Sequence, residues 1–240
     1  MNARPRIDTK SALLFLMALA GLSIPPASAA APERFTSDFR LAQCEGFSTA
    51  GQNPYFVLEP GFETVLEGRE SKADVSVTAL VTEETFMVDG VLTRVLVETE
   101  TADGELVEIS RNYFAICNRD NSVVYYGEDV DIYEQGVITS HEGSWRAGVD
   151  GARPGILMPG TLLVGSRYFQ EIAETNKALD RAEVVSLTAV VETPAGTFDN
   201  CLKSRETTPL KKGKSEIKHY APGIGLIQDG PLKLVSFSGL

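Results

Sequence analysis

The stretch "ADVSVTALVTEETFMVDGVLTRVLVETETADGELVEISRNYFAIC", residues 73–117, decides the fold of this chain. Apolar residues alternate with polar ones in its first run, so that Val75 and Val77 share one face of an extended strand. Asp89-Gly90 and Asp103-Gly104 interrupt the alternation. An Asp-Gly pair between alternating runs is a strong hairpin signal, because a type I′ turn needs positive φ at both central residues. The stretch therefore predicts three long antiparallel strands in sequential order.

The remainder of the chain repeats this pattern of short alternating runs closed by Gly, Pro or Asn turns. So many strands cannot stay flat without exposing an apolar face. We therefore expect an all-β protein with a strongly curved antiparallel meander sheet, a barrel or half-barrel, and little helix after the N-terminal segment. Residues 147–165 are rich in Gly and Pro and predict a long loop. Residues 168–172 fit an edge strand or the start of a short helix.

The N-terminus is typical of an export signal. Three basic residues precede the apolar run "SALLFLMALAGLSI", residues 11–24, and Ala27-Ser28-Ala29 supplies a cleavage site. The apolar run is shorter than a membrane span requires. We expect a signal peptide at 1–29, an irregular segment at 30–54 and one β-rich domain at 55–240. The expected location is the periplasm or the exterior, with no transmembrane anchor after processing.

The net charge narrows the possible partners, and the cysteines bear on the compartment and on disulfide pairing. With 33 Asp and Glu against 22 Lys and Arg, the formal net charge of −11 disfavours binding to nucleic acid. The three cysteines, Cys44, Cys117 and Cys201, would meet an oxidising compartment and allow one disulfide. We predict a Cys117–Cys201 bridge, because both residues lie in strand-like runs. Three buried free thiols remain the alternative.

The stretch "YYGEDVDIYEQGVITSHEG", residues 125–143, holds the candidate metal ligands. Asp129 and Asp131 would share one face of a strand, and His141 with Glu142 follows closely. Calcium would need further loop oxygens, and a transition metal would need His219 to approach His141. The simpler interpretation is a solvated strand edge, so we expect no cofactor and keep calcium or a transition metal as the alternative.

Four aromatic residues form the candidate ligand-binding set: Tyr126, Trp145, Tyr168 and Phe169. Such residues commonly pack in a core or pair across strands. They would also suit the lining of an apolar cavity inside a curved sheet, roofed by residues 147–165.

Several segments carry a resemblance to a known family. "TPAGTFDNC" at 193–201, "KHYAPGIGLI" at 218–227, "NPYFVLEPG" and "SHEGSWRAGVDGARPGILMPG" resemble parts of a family of exported bacterial β-rich proteins that has no assigned activity. The resemblance covers most of the chain after residue 29. "PAGTF" is also similar to strand-turn-strand units of periplasmic half-barrels related to lipoprotein carriers. The resemblance implies a curved sheet and brings no active-site residues.

Two functions compete at this level. The first is a non-catalytic binding or carrier protein for an apolar or amphipathic small molecule, or for a protein partner. The second is a secreted metal-binding protein or a hydrolase- or lyase-type enzyme that uses His141 and nearby carboxylates. The absence of G-x-S-x-G, H-E-x-x-H and glycine-rich phosphate motifs favours the first. A binding or carrier function predicts an apolar interior and acidic side chains that face water.

Overall fold

A computed structural model describes residues 34–239, so the predicted signal peptide at 1–29 lies outside the described residues. The described part is nearly all β-structure, with one 3₁₀ turn at Leu41–Gln43. The first nine strands are β1 (Phe47–Ser48), β2 (Gln52–Asn53), β3 (Phe56–Val57), β4 (Glu63–Glu70), β5 (Ala73–Val88), β6 (Val91–Ala102), β7 (Glu105–Cys117), β8 (Val123–Glu134) and β9 (Val137–Ser140). The other nine are β10 (Trp145–Arg146), β11 (Arg153–Met158), β12 (Arg167–Phe169), β13 (Glu171–Ile172), β14 (Arg181–Thr193), β15 (Gly196–Thr207), β16 (Glu216–Ala221), β17 (Gly225–Asp229) and β18 (Leu232–Ser238).

Thirteen strands form one antiparallel sheet that is nearly closed into a barrel. Their order is β12-β14-β15-β16-β17-β18-β4-β5-β6-β7-β8-β11-β13, and in addition β1 pairs with β7, and β9 and β10 pair with β8. Neighbouring strands are mostly sequential, which confirms the predicted all-β class and meander. The last strand, β18, returns to pair with β4 through Leu234 and Leu66.

The two hairpin turns predicted from Asp-Gly pairs are present. Asp89 and Gly90 have φ of 46° and 77°, and Asp103 and Gly104 have φ of 50° and 83°. Positive φ at both central residues is the type I′ requirement that selects Asn or Asp followed by Gly. Local turn chemistry therefore fixes the register of the first three long strands.

The segment 167–172 brings the two ends of the sheet together. Its first half, β12, pairs with β14 through Tyr168 and Ala182, and its second half, β13, pairs with β11 through Ile172 and Arg153. Between them, the Gln170 N–H donates to the Asp180 carbonyl at 2.7 Å. Of the two alternatives for this segment, the strand is the correct one.

The expected loop at 147–165 is only partly a loop, because it contains the six-residue strand β11. Gly155 lies so close to the neighbouring strand that a Cβ atom there would meet the Gln170 carbonyl oxygen at 2.1 Å. Glycine is needed here for close approach of two backbones rather than for a flexible turn. Part of the Gly- and Pro-rich segment that was expected to be a loop thus belongs to the wall of the barrel.

The predicted Cys117–Cys201 disulfide is wrong, because Cys44 is bonded to Cys117 and Cys201 is a buried free thiol. Strand β1 pairs with the end of β7 so that Phe47 faces Cys117, which brings the preceding Cys44 alongside. Cys201 lies on β15, which six strands separate from β7 along the sheet order. The N-terminal segment at 34–54 is therefore tied to the barrel wall. Within the described residues no helix has the length and apolar character that crossing a membrane requires.

Candidate functional site

The interior of the barrel contains a cavity of about 340 Å³. Inward-facing side chains of most of the long strands line it, together with the β2–β3 hairpin and the closing segment 167–172. Its lining divides into an apolar part and a charged part. The apolar part consists of Phe56, Val57, Phe62, Leu66, Val77, Ala79, Val81, Leu96, Phe114, Leu157, Ile224, Leu226 and Leu232.

Aromatic rings dominate the apolar part at the β2–β3 hairpin. Phe56 of β3 meets Phe114 edge-on with ring centroids 5.2 Å apart, and Phe114 stacks on Tyr125 at 4.7 Å. Phe114 and Tyr125 are 4% and 5% exposed, so this end of the cavity is well shielded from water. The Tyr125 hydroxyl donates to the Asn112 side chain at 2.5 Å, which satisfies its polar end.

The charged part of the lining is the acid cluster, defined as Glu98, Glu100, Glu128, Glu171, Asp180, Glu206 and Asp229. One basic side chain, Lys218, lies among these seven carboxylates in the described lining. On β6, Leu96, Glu98 and Glu100 occupy successive inward positions, since side chains two residues apart share a face. The lining therefore changes from apolar to acidic along a single strand.

Lys218 is bonded to only part of the acid cluster. Its Nζ lies 3.2 Å from Glu206 Oε2 and 3.1 Å from Asp229 Oδ2. The other oxygen of Glu206 accepts from the Tyr220 hydroxyl and from Gln170 Nε2, each at 3.2 Å. Glu206 thus has several partners, whereas Asp229 Oδ1 is buried with no hydrogen-bond partner in the described part of the chain.

Burial shifts the protonation equilibria of this cluster toward the neutral acids. Burial raises the pKa of Glu128 to about 7, and the negative charges of Glu98 and Glu108 contribute to the increase. A hydrogen bond with Tyr125 opposes this shift. Burial likewise raises the pKa of Glu98 and of Glu171. Burial opposes the charge of Lys218, but Glu206 and Asp229 outweigh it and raise the lysine pKa. The site thus combines one ammonium with carboxylates that hold protons unusually tightly.

The structure places none of the four predicted ligand-binding aromatics on this lining. Tyr126 packs edge-on against Phe47 at 5.9 Å, and Trp145 packs against Tyr125 at 5.3 Å from behind the cavity wall. Tyr168 lines a separate surface depression beside the disulfide, and Phe169 contacts Phe35. Their role in ligand binding stays a prediction, and the rings that do face the interior are those of Phe56, Phe114 and Tyr125.

The four predicted metal ligands do not converge. The Asp129 carboxylate accepts from both Arg146 and the Tyr113 hydroxyl, the latter at 2.6 Å. Asp131 lies 3.3 Å from Arg111 Nη1 and 2.9 Å from His141 Nδ1. These partners are the ordinary contacts of a strand edge that faces solvent.

The remaining members of that set also lack metal-site geometry. The Glu142 N–H donates to the Ser140 hydroxyl, and the Glu142 side chain is exposed. His219 lies on β16 beside Lys203 and Gln228, whereas His141 directly follows the end of β9, which pairs with β8. Throughout residues 34–239, no three Asp, Glu, His or Cys side chains are arranged to hold a metal ion. Asp131 and His141 are thus in contact, but the set does not meet at one point, and metal binding by these residues stays a prediction.

Sequence reasoning missed the acid cluster, although one signal for it was present. Glu98 and Glu100 share the period-2 face of Leu96, which is buried at 7% exposure. The expectation that acidic side chains face water is wrong at these positions, because the barrel interior is not completely filled by side chains. Glu206 and Asp229 lie on β15 and β17, on either side of β16, whereas Glu171 lies on β13 at the other end of the sheet, and closure brings it to the same cavity.

Comparison with protein-family models and with curated protein sequences gave no match. Among solved structures, the chain is similar to a crystal structure described as a "putative lipoprotein" from Parabacteroides distasonis ATCC 8503. The two chains are 13% identical with a TM-score of 0.36, over 75% of this chain and 95% of that one. At this level of similarity, nothing about a ligand or an activity carries over to this chain.

Proposed function

We propose that this protein is a non-catalytic binding or carrier protein that holds a small amphipathic molecule inside its barrel. The observation that carries this proposal is the cavity of about 340 Å³, whose lining is aromatic and aliphatic at one part and polar at the other. Sites for small molecules commonly have volumes of roughly 300–1,000 Å³, mostly apolar walls and a few convergent polar groups. The cavity is at the lower end of that range, which suits a small ligand.

A location outside the cytoplasm accompanies this proposal. The Cys44–Cys117 disulfide supports an oxidising compartment, since structural disulfides are rare in reducing cytosol. The bridge also holds the N-terminal segment against the barrel wall without contributing to the cavity lining.

The test is a binding measurement with a cavity-filling variant. The uncharged probe N-phenyl-1-naphthylamine should become fluorescent on entering the aromatic part of the cavity of the full chain. Ala79→Phe places a ring into the lining and should weaken probe binding by about tenfold or more. Thr78→Phe is the matched control, because Thr78 lies on the opposite face of β5.

The two variants separate binding inside the barrel from binding elsewhere. Equal loss of probe binding in both would indicate an external apolar surface, and a wild-type protein that does not bind the probe would contradict the proposal. Circular dichroism of both variants checks that the sheet is retained.

A further inference from the structure

We propose that the molecule held in the cavity carries a positively charged amino group, which lies among the carboxylates of the acid cluster while its hydrocarbon part contacts the aromatic rings. This inference rests on the proposed binding function and names the chemical class of the ligand.

The first support is the charge of the lining. Seven carboxylates face one ammonium group in the described part of the cavity. Transfer of a carboxylate out of water is costly unless an opposite charge or hydrogen bonds compensate for it. Lys218 is within ion-pair distance of Glu206 and Asp229 only. No ion pair within residues 34–239 involves Glu98, Glu128 or Glu171, so each is available to a second cation, whose charge would favour the ionised carboxylate.

The second support is a set of polar atoms in the wall that lack partners. Thr64 lies on the inner face of β4, is 8% exposed and lines the cavity. Its side-chain hydroxyl forms no hydrogen bond with another described residue and is open to the cavity. The register joins Thr64 to Ala79 and Ala79 to Glu98, so the hydroxyl lies in the same row of inward positions as a carboxylate. Asp229 Oδ1 is a further buried acceptor without a partner in this part of the chain.

Of these two atoms, Asp229 Oδ1 is both buried and unpartnered, which is uncommon in folded proteins and calls for a specific explanation. A primary ammonium has three N–H donors, which point in different directions from one nitrogen. It can therefore donate to carboxylate and hydroxyl oxygens on separate strands. The acceptors Thr64 Oγ1, Glu98 and Asp229 are of the type that such a group needs.

Geometry favours an organic cation over a metal ion. A divalent metal needs several oxygen ligands that converge at one point, and no group of three such side chains in residues 34–239 does so. The carboxylates are instead distributed along the wall, and the apolar surface of Leu96 and Phe114 continues directly from them. A hydrocarbon chain attached to the cation would contact that surface.

The experiment compares three competitors with the same hydrocarbon chain: octylamine, octan-1-ol and octanoate. Each displaces N-phenyl-1-naphthylamine from the full chain at neutral pH. Octylamine should bind about tenfold or more tightly than octan-1-ol, since a hydrogen bond to a charged group is stronger than a neutral one. Octanoate should bind most weakly because its charge repels the acid cluster.

Glu98→Gln keeps the shape of the wall and removes one carboxylate. It should lower the affinity for octylamine while it leaves the affinity for octan-1-ol unchanged. Glu134→Gln is the matched control, because Glu134 is an exposed glutamate at the end of β8. This control should not change either affinity.

The possible outcomes separate the inference from the function on which it rests. If the probe binds and octan-1-ol competes as well as octylamine does, the cationic ligand is ruled out and the binding function stands. If neither the probe nor any competitor binds, both proposals fall. Displacement by calcium chloride but not by octylamine would also overturn the inference, in favour of a metal ion. The wild-type comparison decides the matter even if Glu98→Gln does not fold.

Discussion

Replacing Glu128 with glutamine removes an ionisable group from the barrel interior, where burial and the neighbouring Glu98 and Glu108 raise its pKa to about 7. The change is nearly isosteric, and glutamine cannot ionise. We expect the Glu128→Gln protein to lose much of the pH dependence of its folding stability between pH 5 and pH 8.

The magnitude follows from the two pKa values of Glu128. In the unfolded chain its carboxyl has the ordinary pKa of 4.5, so the folded protein binds this proton more tightly. Between pH 4.5 and 7 the folded state holds more protons than the unfolded state, and the free energy of unfolding therefore falls as the pH rises. The difference between 7 and 4.5, at about 1.36 kcal/mol for each pH unit, gives a loss of at most about 3 kcal/mol above pH 7.

Other members of the acid cluster act in the same direction. The pKa values of Glu98 and Glu171 are also raised, chiefly by burial, so the wild-type protein should be most stable under mildly acidic conditions. Substitution of Glu128 removes its own ionisation and lessens the repulsion that Glu98 and Glu171 experience. Glu128→Gln should therefore gain stability relative to wild type as the pH rises from 5 to 8.

The assay is urea unfolding under oxidising conditions, followed by circular dichroism at pH 5, 6, 7 and 8. Glu134→Gln again provides the control, because an exposed glutamate should leave the wild-type pH profile unchanged. An identical slope of stability against pH in wild type and Glu128→Gln would refute the reasoning. It would mean that water reaches the Glu128 carboxylate freely in the folded protein.

Two further predictions concern the barrel wall. Cys44→Ser should lower the free energy of unfolding by about 4 kcal/mol, since the bridge to Cys117 closes a loop with a sequence separation of 73. Cys201→Ala should retain the bridge, as mass spectrometry under non-reducing conditions would show. Gly155→Ala should lower the free energy of unfolding by about 1–3 kcal/mol, because its Cβ would lie 2.1 Å from the Gln170 carbonyl oxygen and push the closing segment outward. An unchanged melting temperature would contradict this close approach.

Local sequence pattern predicted the sheet because local chemistry produces it. The positive φ values at Asp89-Gly90 and Asp103-Gly104 depend on those residues alone, and alternation assigns the faces of the strands between them. Strand β11 was missed for the opposite reason. Gly155 is required by a neighbouring backbone that is distant in sequence, and composition cannot distinguish that requirement from a turn.

The site was harder to predict than the fold. Leu96, Glu98 and Glu100 were visible as one face of β6, but a charged face is ordinarily the outer one. Lys218 meets Glu206 and Asp229 through the register of the neighbouring strands β15, β16 and β17, but Glu128 and Glu171 reach the same cavity only because the sheet curves and closes. The predicted disulfide was wrong for a similar reason, because only the pairing of β1 with β7 brings Cys44 to Cys117.

The pairing of β18 with β4 has a consequence for the order of assembly. Residues 232–238 are far from β4 along the chain, and the wall next to β4 stays open until they dock. Until then water can hydrate every inward carboxylate, so the electrostatic cost of dehydrating them is concentrated in the final docking step. Neutralising those groups, by protons or by a captured cation, would make that step faster. Closure of the wall and neutralisation of the acid cluster would then be a single event.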